Sequence, residues 1–219
     1  PNRIFGNIYG GGYGFCDELG RVDMRDAYVL LHGPVGGTQI LADNVFGGGY
    51  FSYVKNATVD AVSGRIRSCV YGGTSGTTVD AGVAALLHAD NVAKAKTQTS
   101  TWGSDFDEEE YEVLTELELT QLKESDYTSA NLLVNVWPTF TQNPAVNVYG
   151  AGGYTGADNV TVNLYGGEVN EVYGGSNQEG GCDIVTVNVP ETSEIKMNAL
   201  YGGAHGSYAA LPCDVRNAT

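Results

Sequence analysis

The sequence predicts an all-β protein built as a parallel β-solenoid, with coils of about 25 residues that end on aromatic-Gly-Gly corners. Three observations predict this fold: a short motif that recurs seven times, alternating apolar residues before it, and a composition poor in helix formers. The chain has 219 residues, of which 31 are Gly, 14 are Tyr and only 11 are Lys or Arg. Such a composition favours strands and turns over helices.

The recurring motif is an apolar residue, an aromatic residue and then one or two glycines. We assign its aromatic residues a structural role at the corners of the coils. They are Tyr9, Phe46, Tyr71, Tyr149, Tyr165, Tyr173 and Tyr201. The intervals between them are 37, 25, 78, 16, 8 and 28 residues. The intervals of 16 and 8 together make one period, so Tyr165 is expected to form a second corner within one coil. The 78-residue interval equals three periods.

Alternating apolar residues precede the corners and predict the long strands of the coils. The clearest examples are residues 57–62, 159–164 and 184–189, in which every second residue is apolar. This period of two is typical of a strand with one buried face. A single coil cannot bury that face alone, whereas coils stacked about 4.8 Å apart join their faces into one core.

The residues of the corner have separate expected roles. We expect the glycines to adopt positive φ, which glycine tolerates without penalty. The aromatic ring is expected to stack on the equivalent ring of the next coil. Asn occurs two residues before the aromatic in four copies, at Asn7, Asn44, Asn147 and Asn163. These side chains could form a ladder of hydrogen-bonded amides, or could simply favour turns.

One segment departs from the repeat, because residues 74–147 contain no aromatic-Gly-Gly corner. Residues 82–96 have the composition of a short helix, and residues 97–130 are expected to be an acidic, partly helical insertion on the flank of a single domain, 1–219. We expect coils to continue beneath it; a run of degenerate coils is the alternative. Because the chain opens and closes within repeat-like sequence, we expect it to be a piece of a longer polypeptide.

Two groups of residues are candidates for metal binding or cross-linking. Asp105, Asp107 and Glu109 are weak calcium candidates, since the spacing of a calcium-binding loop is not met and a solvated acidic helix start is the alternative. No other cofactor is predicted. Cys182 and Cys213 follow successive corners, so a disulfide between them is a hypothesis, with buried free thiols as the alternative.

Charge and motifs exclude several function classes. The net charge of −15 and the pI of about 4.3 argue against binding to nucleic acid or to anionic membranes. No apolar run is long enough to span a membrane, and no phosphate loop, nucleophile elbow or dinucleotide motif occurs. We therefore predict that the chain is not an enzyme. Arg65 and Arg67 alternate on one strand face with Asp60 nearby, the only arrangement here that could belong to a polysaccharide-cleaving site; an outward strand face is the favoured interpretation.

The Val-Tyr-Gly-Gly corners and the Val-Thr-Val-Asn strands resemble very large secreted surface proteins of gut-type anaerobic bacteria. Those proteins carry long arrays of Gly-rich, right-handed parallel β-helix coils and are described as adhesin-like. The resemblance covers most of the chain except residues 75–130. It implies right-handed coils and an extracellular or cell-surface location, and it transfers no functional residue.

The function expected from these observations is a non-enzymatic structural or adhesive repeat module, with a filament subunit that assembles end to end as a variant. Its partners would be other copies of itself, neighbouring repeats of a longer chain, or surface glycans or proteins. Two alternatives stay open. One is a polysaccharide-active β-helix lyase or hydrolase, and the other is a glycan-binding module that uses surface tyrosines.

Overall fold

The computed structural model describes residues 5–12, 24–50, 54–75, 129–153, 155–178, 181–206 and 215–219. The regular elements within these ranges are all β-strands. The described part of the chain is therefore all-β, as predicted. The strands are β1 (Asn7–Tyr9), β2 (Met24–His32), β3 (Ile40–Phe46), β4 (Val54–Ser63), β5 (Arg65–Tyr71), β6 (Ser129–Val136), β7 (Asn147–Tyr149), β8 (Ala157–Leu164), β9 (Glu171–Tyr173), β10 (Cys182–Asn188), β11 (Ala199–Tyr201) and β12 (Val215–Ala218).

The strands form two parallel sheets of six. The short-strand sheet has the order β1-β3-β5-β7-β9-β11, and the long-strand sheet has the order β12-β10-β8-β6-β4-β2. Successive strands along the chain therefore alternate between the two sheets, and each strand pairs with the strand two places away. All of these pairings are parallel.

The core consists of apolar side chains that alternate along the strands of both sheets. In β4, Ala57, Val59 and Ala61 are buried, while the residues between them are partly exposed. Equivalent positions align in register from strand to strand, as where Val134 of β6 pairs with Val59 of β4. Burying one such valine contributes about 1.5–3 kcal/mol. The alternation thus places one face of each strand from β2 to β10 in a single buried cluster.

The predicted long strands at residues 57–62, 159–164 and 184–189 coincide with β4, β8 and β10. The interpretation of the 78-residue interval was wrong. Tyr71 of β5 pairs directly with Tyr149 of β7, and β4 pairs directly with β6, so no further coil lies between them. The 78-residue interval therefore connects two neighbouring coils and contains extra residues between them. Its length equals three periods by coincidence.

The predicted insertion at 97–130 lies outside the described residues except for Ser129 and Ala130, which begin β6. The suggested helix at 82–96 also lies outside them. The chain divides into two compact units, and all described strands belong to the unit formed by Pro1–Thr78 and Thr128–Thr219. No helix among the described residues has the length and apolar character needed to cross a membrane.

Candidate functional site

Six aromatic rings form one continuous stack along the short-strand sheet. The centroids of successive rings lie 4.6–5.1 Å apart, and their planes differ by 11° or less. The members, in order, are Tyr9, Phe46, Tyr71, Tyr149, Tyr173 and Tyr201. The in-register parallel pairing of the strands places each ring over the preceding one. Each contact of this kind contributes about 0.5–1.5 kcal/mol beyond the area that it buries.

Tyr165 does not belong to this stack. It follows β8 of the long-strand sheet, where its N–H donates to the carbonyl oxygen of Val136. Its ring instead stacks on Trp137, with centroids 4.6 Å apart and an interplanar angle of 27°. Trp137 and Tyr165 are 37% and 36% exposed, so they form a separate aromatic pair on the surface. Tyr165 thus lies directly after β8 and before β9, where the sequence predicted a second corner within one coil, and its ring takes no part in the six-ring stack.

The corner glycines are required for a different reason from the one predicted. The glycines that follow the stacked rings do not have φ in the left-handed region. Instead, a Cβ on Gly47 would lie 2.2 Å from the carbonyl oxygen of Gly72, and a Cβ on Gly72 would lie 2.0 Å from that of Gly150. Successive backbones thus approach too closely for a side chain. Positive φ occurs after the Trp137–Tyr165 pair, at Gly167, where φ is 99°.

The hydroxyl groups of three stacked tyrosines, Tyr71, Tyr149 and Tyr173, lie in an environment that disfavours their ionised form. Burial raises the pKa of Tyr71, and the neighbouring Cys69 raises it further. Burial also raises the pKa of Tyr149 and of Tyr173, whose hydroxyl donates to Glu171 over 2.9 Å. The middle of the stack, from Phe46 to Tyr173, is consequently a buried column of rings.

Two ladders of side-chain amides run along the long-strand sheet. In the first, Asn159 donates to Asn131, Asn131 to Asn56, and Asn56 to the carboxylate of Asp26, over 3.2, 2.8 and 2.7 Å. In the second, Asn188 donates to Asn163, Asn163 to Asn135, and Asn135 to the carboxylate of Asp60, over 2.8, 2.8 and 2.7 Å. Every amide points its N–H groups toward the preceding strand, and each ladder ends on an aspartate.

Asp60 is the centre of a cluster that joins the second ladder to the surface aromatic pair. Its carboxylate accepts hydrogen bonds from the Tyr28 hydroxyl at 2.5 Å, from Asn135 at 2.7 Å and from the Trp137 indole at 3.2 Å. Partial burial acts to raise the pKa of Asp60, but the three hydrogen bonds lower it below its ordinary value overall. The indole is thereby held in one orientation beside the ladder.

This arrangement was not predicted from the sequence, although the sequence contains a signal for it. Polar residues four apart lie within three of the long strands: Asn56 and Asp60 in β4, Asn131 and Asn135 in β6, and Asn159 and Asn163 in β8. On a strand this spacing places both members on the same face. Trp137 could be connected to Asp60 only through the register, because 77 residues separate them.

The four asparagines for which the sequence left a ladder or simple turns open belong to three different ladders. Asn44 donates to Asn7 as predicted, over 3.0 Å. Asn147 accepts from Asn170, which in turn accepts from Asn198, over 2.8 and 2.7 Å. Asn163 lies in the long-strand sheet beside Asn135. Cys69 occupies the ladder position of the strand between Asn44 and Asn147 and interrupts the row.

Arg65, Arg67 and Asp60, for which the sequence favoured an outward strand face over a cleavage site, have separate partners. Arg65 donates to the backbone carbonyl groups of Thr38 and Asn143. Arg67 lies 3.4 Å from the carboxylate of Asp43. Asp60 is in the other sheet, bonded to the cluster described above. The arrangement thus positions loops rather than bringing an acid and a base together.

The remaining candidates fall largely outside the described residues. Asp105, Asp107 and Glu109 lie there, and within the described ranges no three acidic, histidine or cysteine side chains converge as metal ligands. Cys182 is buried in β10, but Cys213 also lies outside, so their disulfide stays a prediction. His205 contacts Tyr149 and Tyr173 edge-on, with centroids 6.3 and 5.0 Å apart.

The features available for assigning a function are therefore the buried ring stack, the two amide ladders, and the surface pair beside Asp60. All three follow from in-register parallel pairing, and none has the geometry of a catalytic acid-base pair. Comparison of the chain with protein-family models, with curated proteins and with solved structures finds no match.

Proposed function

We propose that the chain is a segment of a right-handed parallel β-solenoid that serves as a non-enzymatic structural or adhesive module outside the cell or on its surface. The observation that supports this most directly is the ring stack, which extends across all six strands of the short-strand sheet. Strands that alternate between two parallel sheets are the expected pattern of successive solenoid coils. Crossovers between parallel strands are right-handed in nearly all proteins.

The repeated residues act on one another rather than on a ligand. Ring packs on ring, amide bonds to amide, and glycine backbone lies on glycine backbone, so each coil stabilises its neighbours. The excess negative charge keeps such a surface soluble. A rigid array of this kind suits a spacer or display module at the cell surface, where no substrate needs to be enclosed.

Two measurements test this proposal. X-ray diffraction from oriented native material should give a reflection near 4.8 Å along the long axis, because the strands of a solenoid stack in that direction. Incubation with a panel of acidic and neutral polysaccharides should release no reducing ends and no unsaturated sugars. Turnover of any polysaccharide would contradict the structural assignment, and the absence of the axial reflection would contradict the solenoid.

We propose glycan binding as the second candidate, favoured by the surface pair of Trp137 and Tyr165. The pair lies beside the ladder of Asn135, Asn163 and Asn188. Asn135 is buried, whereas the partly exposed Asn163 uses one N–H and one lone pair and retains one of each, and Asn188 donates one N–H. Exposed aromatic edges with a row of donors and acceptors suit a polyhydroxylated chain. The negative charge of the protein favours a neutral glycan over an acidic one.

Glycan arrays can separate this candidate from the purely structural one. Wild-type protein should bind neutral polysaccharides, and Trp137→Ala should weaken that binding by about tenfold or more, since one lost aromatic contact is worth about 1.4 kcal/mol. Phe5→Ala is the matched control, because Phe5 is 53% exposed and lies outside the cluster. Equal binding by the wild type and Trp137→Ala would contradict this site.

A further inference from the structure

The two amide ladders border a strip on the outer face of the long-strand sheet. In β4, β6 and β8 the ladder residues lie four apart, which separates the two ladders by about 13 Å. The residue midway between them lies on the same face, because side chains alternate along a strand. In register, the midway residues of β4 to β10 form one half-buried column, which we call the threonine strip: Thr58, Leu133, Thr161 and Thr186.

The threonine strip and its borders have hydrogen-bonding groups that the fold does not use. The hydroxyl groups of Thr58, Thr161 and Thr186 have no hydrogen-bond partner among the described residues. In the ladders on either side, Asn131 and Asn163 each use one N–H and one lone pair, so each retains one of both. Donors and acceptors are therefore available along the middle of the strip and at both of its edges.

The spacing of the strip indicates the shape of a matching ligand. Its residues repeat with the distance between neighbouring strands, about 4.8 Å. A ligand that fits has one repeating unit for each strand and polar groups at both edges. An extended, β-linked polysaccharide has this form, because each pyranose ring is about as long as one strand spacing and has hydroxyl groups on both edges. Leu133 adds an apolar surface for the C–H groups of a sugar ring.

The charges around the strip favour a neutral polysaccharide. In the described strands β2 to β10, the strip and the two ladders contain no basic side chain, and their charged members are the carboxylates on which the ladders end, Asp26 and Asp60. Lys55 lies outside the first ladder, and so does Arg25, whose guanidinium is 3.8 Å from the Asp26 carboxylate. An acidic sugar on the strip would therefore meet negative charge without a facing cation.

We propose that the threonine strip binds a neutral, β-linked polysaccharide whose chain runs across the strands, with about one sugar for each strand. The inference rests on the proposed glycan binding and adds the class of glycan, its direction and the residues that hold it. Trp137 and Tyr165 lie two residues beyond Asn135 and Asn163, so the aromatic pair forms one rim of the site. The threonine hydroxyls and the free amide groups then bind the hydroxyl groups of successive sugars.

Calorimetry of the full chain tests the proposal, with xylohexaose, cellohexaose and mannohexaose as neutral probes. Wild-type protein should bind at least one of them, and the matching disaccharide about tenfold or more weakly, because it contacts fewer strands. Joint replacement of Thr58, Thr161 and Thr186 by valine keeps their shape and removes their hydroxyl groups. Each lost hydrogen bond should weaken binding about twofold to tenfold, and the triple variant about tenfold or more. Thr141→Val, at an exposed threonine outside the strip, should bind like the wild type.

The outcomes separate this site from the proposed glycan binding itself. A triple variant that binds like the wild type, while Trp137→Ala does not bind, would overturn the threonine strip and leave the aromatic pair as the glycan site. A wild type that binds none of the probes would overturn both. Circular dichroism and thermal melting identify a triple variant that fails to fold, and Thr161→Val alone then replaces it, with an expected loss of about twofold to tenfold.

Two further measurements test the direction of the chain and the choice of a neutral glycan. Bound hexasaccharide should shift the amide resonances of β4, β6, β8 and β10 together, and shifts confined to a single strand would overturn the direction. An acidic probe, oligogalacturonate, should bind about tenfold or more weakly than the best neutral hexasaccharide. Equal or tighter binding of oligogalacturonate would overturn the selection for neutral sugars.

Discussion

At the scale of single residues, glycine is needed after a stacked ring because the next strand occupies the space of its missing side chain. In Gly72→Ala the new Cβ would lie 2.0 Å from the Gly150 carbonyl oxygen and 2.9 Å from Val134. Backbone atoms cannot move aside without breaking the register, so we expect a loss of about 3 kcal/mol in the free energy of unfolding. Urea denaturation measures it.

The matched control is Gly202→Ala, at the same corner position of the last short strand. Its Cβ would meet Ala218 at 3.4 Å, which is ordinary van der Waals contact. We expect a change within about 0.5 kcal/mol. Equal losses for Gly72→Ala and Gly202→Ala would show that glycine acts at the corner through the conformational freedom of its backbone and not through close approach.

Asp60 gives a prediction for acid stability. Its pKa is lowered in the folded state, so ionised Asp60 stabilises the fold. This contribution to the free energy of unfolding is complete above the unfolded pKa of about 3.9 and is lost as the pH falls through the folded pKa. Asp60→Asn should remove this part of the pH dependence. Because the carboxylate is mostly solvated, we expect a cost of only about 0.5–1 kcal/mol at pH 7. Denaturation midpoints between pH 2 and 7 measure both effects.

Asp158→Asn is the control of opposite sign. Burial and then the charge of Asp183 raise the pKa of Asp158, so its ionised form disfavours the folded state. Its substitution should leave stability at pH 7 unchanged or raise it by about 0.5 kcal/mol. A destabilised Asp158→Asn, or an Asp60→Asn whose acid dependence matches the wild type, would contradict these assignments.

At the scale of elements, the ring stack links the six strands of the short-strand sheet. Tyr149 contacts a ring on each side and is 3% exposed. Tyr149→Ala should therefore cost about 3–5 kcal/mol, whereas Tyr165→Ala, with one partner and a half-exposed ring, should cost about 1 kcal/mol. Tyr149→Phe should cost less than about 1 kcal/mol, since Phe46 already occupies the same column. A Tyr149→Ala loss no larger than that of Tyr165→Ala would contradict the stack's role.

The same stack predicts instability at alkaline pH. The pKa values of Tyr71, Tyr149 and Tyr173 are raised in the folded state. Their stabilising contribution is present below the unfolded pKa of about 10 and is lost as the pH rises through the folded pKa values. Thermal melts should thus show a falling midpoint above pH 10, and Tyr149→Phe should reduce the fall. A wild type and a Tyr149→Phe variant with identical alkaline profiles would contradict this.

The elements were predictable where one local rule decides them. Period-two alternation predicted β4, β8 and β10, and the corner motif predicted β7, β9 and β11. In these strands each side chain lies beside the equivalent side chain of the neighbouring strand, so the same residue type recurs in the sequence. The Asp60 cluster was not predictable, since it joins Asp60 of β4 to Tyr28 of β2 and to Asn135 and Trp137, which lie within and directly after β6. The role of the corner glycines was also misjudged, because the atom that excludes a side chain belongs to the next strand.

At the scale of the whole molecule, direct pairing of β4 with β6 and of β5 with β7 implies that residues 76–128 are not needed to close the stack. The residues that connect other corners to the next long strand are few: Tyr149 precedes Ala157 by eight residues, and Tyr173 precedes Cys182 by nine. By contrast, Tyr71 precedes Ser129 by 58 residues, although Ser129 pairs with Ala157 and so begins the equivalent long strand.

We therefore expect that replacing residues 76–128 by Tyr-Thr-Gly, the sequence that leads into Ala157, leaves the two sheets intact. This replacement restores the spacing of eight residues between Tyr71 and Ser129. A shorter loop lowers the entropic cost of closure, so the free energy of unfolding should stay the same or rise by about 1–2 kcal/mol. The measurements are urea denaturation and hydrogen exchange of the amides in β4 to β7. Loss of protection in these strands, with or without loss of the others, would show that residues 76–128 support the stack.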